Sequence, residues 1–65
     1  MKVNFGENLK LLRKEKNISQ PTIAKLCKTT VATVSRWENN VNEPDINTLI
    51  LLADYFCITL DELLR

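Results

Sequence analysis

Ser19, Pro21 and Thr30 constrain this chain more than any other feature. Proline fits a helix only in its first turn, where the missing N–H breaks no helical hydrogen bond. With Ser19 as N-cap, Pro21 therefore fixes a helix start at Gln20. Thr30 can cap a following helix, and the stretch between the two caps has room for little more than two helical turns. The sequence thus predicts a helix over about Gln20 to Cys27, a three-residue turn over about Lys28 to Thr30, and a second short helix from Val31 to about Asn39. Two short helices joined in this way are the minimal helix-turn-helix.

The flanking segments are helical too. Asn4 is a suitable N-cap with Glu7 at the capping-box position, which predicts a first helix from about Phe5 to Lys16. Phe5, Leu9 and Leu12 form its apolar stripe. Lys14 and Lys16 suit the negative end of the dipole, and Asn17 tolerates a left-handed terminator. Val34 and Trp37 point inward from the third helix. Residues 39–44 read as a loop. Asp45 caps a fourth helix running to about Phe56, with Ile46, Leu49, Ala53 and Phe56 inward and Leu52 beside them. Thr59 and Glu62 form a capping box for a short fifth helix, about Leu60 to Leu64. No strand alternation or repeat is present. The expected architecture is all-α, a five-helix bundle in one domain over residues 1–65, with the helix-turn-helix at about 20–39.

Several function classes are disfavoured. No apolar run approaches the roughly 18 residues of a membrane span. Residues 1–5 lack the apolar segment of a secretion signal, so no membrane association and a cytoplasmic location are expected. Two cysteines, Cys27 and Cys57, and no histidine cannot make a zinc site. Free buried thiols are expected, a single disulfide being the alternative. No histidine can act as a base, Ser19 and Ser35 are the only serines, and the single Gly6 cannot build a phosphate-cradling loop. No enzymatic activity, cofactor or metal is therefore expected. Asp61 and Glu62 are neighbours that face different sides of a helix.

Net charge is only +1. Its distribution is uneven. From Lys10 to Arg36 seven cations face one anion, Glu15, a net +6. From Glu38 to Arg65 six anions face one cation, a net −5. A basic half and an acidic half suit a molecule with one face toward phosphate and another turned away, although chance clustering in a small chain would look the same.

The segments Ile18-Ser19-Gln20, Ile23-Ala24, Val34-Ser35-Arg36-Trp37-Glu38-Asn39, Glu43-Pro44, and Leu52-Ala53 through Leu60-Asp61-Glu62-Leu63-Leu64 together resemble the phage-repressor-like Cro/XRE helix-turn-helix regulators. The resemblance covers roughly Phe5 to Leu64. It implies a five-helix bundle whose second and third helices bind double-stranded DNA, and a transcriptional regulator of the repressor kind acting as a homodimer on a pseudo-palindromic operator. The family usually carries glycine at the positions of Asn17, Lys28, Asn40 and Cys57. Asn suits such a position; Lys28 and Cys57 suit it less.

In helix-turn-helix geometry the third helix would read bases and the second would cross the phosphate backbone. Val31, Ala32, Thr33 and Arg36 are the candidate base contacts. Arg36 lies one turn beyond Ala32 and could hold guanine bidentately, or instead form a surface ion pair. Val31 and Ala32 could meet thymine methyls, or Val31 could pack against the core. Gln20, at the start of the second helix, is the leading phosphate contact. Thr30 could touch phosphate or serve only as a cap. Asn39 and Asn40 resemble the family's second phosphate clamp, and Lys28 and Asn42 are further phosphate candidates. Arg13 and Glu38 match a family ion pair between the first helix and the end of the third, which orients the reading helix. Trp37 belongs to the core. The surplus leucines of the fifth helix (Leu60, Leu63, Leu64), with Tyr55 and Ile58, are the candidate dimer surface; alternatively they only close the core. A protein-interaction module is the rival function.

Overall fold

Five short segments fold as helices: α1 (Phe5–Glu15), α2 (Gln20–Leu26), α3 (Val31–Glu38), α4 (Ile46–Tyr55) and α5 (Leu60–Leu64). A computed structural model describes residues 4–65; the first three residues of the expected 1–65 domain lie outside the described residues. No strand occurs among the described residues, so the all-α five-helix expectation holds. Helix starts follow the caps. Ser19, Thr30, Asp45 and Thr59 each accept a hydrogen bond from the backbone N–H three residues on, and Glu62 returns one to the Thr59 N–H.

Asn4 departs from expectation. Its side chain caps nothing on α1, and Glu7 forms no capping box with it. Instead the Asn4 N–H donates to the Leu64 carbonyl at 3.0 Å, and Nδ2 donates to the Arg65 carbonyl at 3.1 Å. Asn4 thus satisfies carbonyls left open at the end of α5.

Helices α1 to α4 each end one residue earlier than the sequence reading, at one recurrent device. Asn17, Lys28, Asn40 and Cys57 all sit at positive φ, between 55° and 58°. The following N–H reaches back five residues: Ile18 to Arg13, Thr29 to Ala24, Val41 to Arg36 and Ile58 to Ala53, at 2.8–3.0 Å. These are Schellman motifs, and they capture carbonyls that would otherwise lack partners.

The core gathers Phe5 and Leu9 from α1, Ile23 and Ala24 from α2, Val34 and Trp37 from α3, Leu52 and Ala53 from α4 with Phe56 at its C-cap, and Leu63 from α5. Phe5 meets the edge of Trp37 with ring centroids 6.5 Å apart. Helix α3 packs between α2 and α1, α1 also packs on α5, and α5 on α4. Three expectations on burial change. Ile46, at the first position of α4, is 56% exposed, because the buried stripe of α4 runs through Leu52, Ala53 and Phe56 with Leu49 packed against it. Cys57 is free but exposed, since the chain turns outward there at positive φ, while free Cys27 is half-buried. Leu63 is fully buried and Ile58, Leu60 and Leu64 pack against the core, which leaves Tyr55 as the exposed member of the candidate dimer set.

Gly6 is the feature the sequence reading left without a role. It is buried in α1, and a Cβ there would lie 2.5 Å from the Trp37 carbonyl and 2.9 Å from the Glu38 carbonyl. Only a residue without a side chain lets α1 approach the end of α3 this closely.

Candidate nucleic-acid interface

The outward surface of α3 follows from what its inner surface must do. Val34 and Trp37 are core, and Glu38 is buried at the junction with α1 and α2. With a helical period of 3.6 residues, Val31, Ala32 and Arg36 are left facing solvent. All three are exposed, Val31 by 41%. Arg36 makes no ion pair among the described residues. Thr33 is half-buried, and its hydroxyl shares a 3.0 Å hydrogen bond with that of Thr30, the N-cap.

Beneath this surface lies a three-residue network that joins three helices. Arg13 Nε donates to Glu38 Oε2 at 2.6 Å, and Arg13 Nη2 donates to Oε1 at 3.0 Å. Such a bidentate fork is the strongest common ion-pair geometry. The two side chains are 14% and 3% exposed. Arg13 Nη1 also donates to the Ile18 carbonyl just before α2. Gln20 Nε2, at the first position of α2, donates to Glu38 Oε1 at 3.0 Å. Burial alone would push the Glu38 carboxyl up. The hydrogen bonds from Arg13 and Gln20, with the charges of Arg13 and Lys10, outweigh burial and hold it below its ordinary value of 4.5.

The remaining candidates are dispersed around this unit. Lys28 is exposed in the connection between α2 and α3, which spans Cys27 to Thr30. Asn39 turns its amide back to the Ser35 carbonyl at 2.9 Å. Asn40 is exposed, with Oδ1 lying toward Gly6. Asn42 is exposed in the following loop. Lys10, Lys14, Lys16 and Lys25 are exposed as well, whereas Arg13 is committed to Glu38. The Gln20–Glu38 contact was not foreseen in sequence. A glutamine at the first helical position opposite a buried acid is the signal that could have shown it. Among the described residues no cluster of metal-ligating side chains occurs, and no helix is long and apolar enough to cross a membrane.

Known proteins share this fold. A family model described as Helix-turn-helix matches residues 9–63. The HTH-type transcriptional activator BcrR of Enterococcus faecalis is 32% identical over 62 residues, which are 95% of this chain and 30% of the relative. A transcriptional regulator from Listeria innocua superposes with a TM-score of 0.95 at 38% identity, over 98% of this chain and 60% of that one. The P22 c2 repressor, solved in complex with a synthetic operator, superposes at 0.84 with 28% identity, over 94% of this chain and 92% of the repressor. The chain thus spans less than two thirds of the first two relatives.

Proposed function

Since the chain belongs to the helix-turn-helix family, we propose that it binds double-stranded DNA in a sequence-specific manner, with α3 in the major groove, and regulates transcription. The observation that carries this is the division of α3 between a locked inner surface and an outward surface of Val31, Ala32 and Arg36 that is exposed among the described residues. Likeness to a repressor solved in complex with a synthetic operator supports DNA as the ligand. Arg36 reads a guanine edge, and Val31, Ala32 and Thr33 complete the base contacts. Gln20, Thr30, Lys28, Asn39, Asn40 and Asn42 meet phosphates on either side. Gln20 has one amide hydrogen and its carbonyl left after bonding Glu38, so it is held in place and still able to donate. The Arg13–Glu38 pair sets the angle of α3 against α1.

Action as a repressor is favoured by the likeness to the P22 c2 repressor, 92% of whose chain is matched, over the activator BcrR, 30% of which is matched. Two copies on a pseudo-palindrome follow from the two-fold logic of such operators. Half-buried Leu60 and Leu64 of α5, with exposed Tyr55, provide the pairing surface.

Selection of bound duplexes from a random library, followed by titration of variants, tests the proposal. Arg36→Ala is expected to cost about 1–3 kcal/mol on the selected site and to relax sequence preference. Gln20→Ala is expected to weaken selected and random duplexes alike, because phosphates carry no sequence. Failure to enrich any duplex would overturn the DNA reading. Equal losses on both kinds of duplex for both variants would overturn the assignment of roles.

A further inference from the structure

The first turn of α3 holds two threonines, and both hydroxyls are engaged within the cap. Thr30 Oγ1 accepts from the Thr33 N–H at 3.2 Å, and the two hydroxyls lie 3.0 Å apart. Ser35 is half-buried, with Asn39 Nδ2 3.4 Å from its Oγ. What remains outward on α3 ahead of Arg36 is Val31 and Ala32. Neither side chain can donate or accept a hydrogen bond. The base edges of the major groove offer such a surface one apolar group, the methyl on C5 of thymine. Uracil and cytosine carry hydrogen at that carbon, and 5-methylcytosine carries the methyl again.

We propose that Val31 and Ala32 sense the pyrimidine 5-methyl group itself, so that a cytosine methylated at C5 partly replaces thymine in the operator and binding responds to the methylation state of the DNA. This rests on α3 being the base-reading helix. Hydrogen-bonded readout separates thymine from cytosine through O4 and N4; two aliphatic side chains lack that means and respond only to shape and methyl content. Arg36, one turn beyond Ala32 on the same side of α3, supplies the hydrogen-bonded contact and is indifferent to the methyl.

The test begins with the operator selected from random duplexes. Each thymine of a half-site is replaced singly by deoxyuridine. At each sensitive position a C·G pair is then compared with and without 5-methylation, with Kd read by fluorescence titration. At one or two adjacent positions uracil is expected to weaken binding about fourfold, the worth of one buried methyl, and 5-methylation of cytosine to strengthen it by a similar factor. In Val31→Ser/Ala32→Ser both ratios fall to one, while the thermal melt holds because both side chains are exposed. In Arg36→Ala affinity drops but the ratios stay. Sequence-selective binding with no methyl effect at any position overturns the proposal and leaves the DNA reading intact. Ratios that persist in the double serine variant overturn the assignment to these residues. No sequence-selective binding to any duplex overturns the DNA reading and this proposal with it.

Discussion

Four residues, Asn17, Lys28, Asn40 and Cys57, hold the left-handed conformation that ends four helices. The cost is not the same at each. Asn enters this region readily because its short polar side chain can bond locally, whereas Lys and Cys meet the Cβ penalty of about 1 kcal/mol in full. Lys28→Gly and Cys57→Gly are therefore expected to stabilise the fold by about 0.5–1 kcal/mol each, part of the gain being offset by the freer unfolded chain. Asn17→Gly and Asn40→Gly are expected to change it less. Denaturant titrations of the four variants check the ranking. These positions were legible from sequence because the resemblance marks all four as glycine sites. Gly6 was not legible, since nothing local reveals that the Trp37 and Glu38 carbonyls approach it from another helix.

Between elements, the decisive contact is Glu38 with Arg13 and Gln20, which ties α3 to α1 and α2 at once. Removing either member of the Arg13–Glu38 ion pair strands a buried charge, at about 3–5 kcal/mol. A domain of this size has a total stability of the same order. Glu38→Ala is accordingly expected to lower the melting temperature steeply and to reduce DNA binding mainly through loss of folded protein. If Glu38 were a free surface charge, its removal would leave the melt unchanged and tighten binding. The same network sets an acid limit. The folded Glu38 carboxyl titrates below its ordinary 4.5, so its contribution is present above that value and is lost as pH falls through the folded value. Asp45 and Glu62, held low by their bonds to Thr48 and Thr59, act in the same direction. Stability should thus decline below about pH 4.5, less steeply in Glu38→Gln, as followed by circular dichroism. The elements themselves were readable because caps and apolar spacing are local. The inward placement of Ile46 failed for a tertiary reason: the face of α4 toward α5 is set by packing, and it begins past the first turn.

At the scale of the molecule, charge is divided along the chain. Residues 10–36 carry the net +6, and six of their seven cations are exposed, Arg13 being taken by Glu38. DNA affinity is expected to fall steeply with salt, and Lys28→Ala to reduce the slope of log K against log salt by about 0.9 if Lys28 neutralises one phosphate. Titrations at several salt concentrations measure both. One further property follows from Asn4, whose hydrogen bonds to Leu64 and Arg65 bring the two ends of the described chain side by side. Topologically the fold is then nearly a ring, and where the ring is cut matters little so long as the cut falls in exposed backbone. A circular permutant that joins Arg65 to Asn4 through a short flexible connector and opens between the exposed Asn42 and Glu43 should regain the same helical circular-dichroism spectrum. It would also carry new ends beside α3, where a fused reporter could register the arrival of DNA.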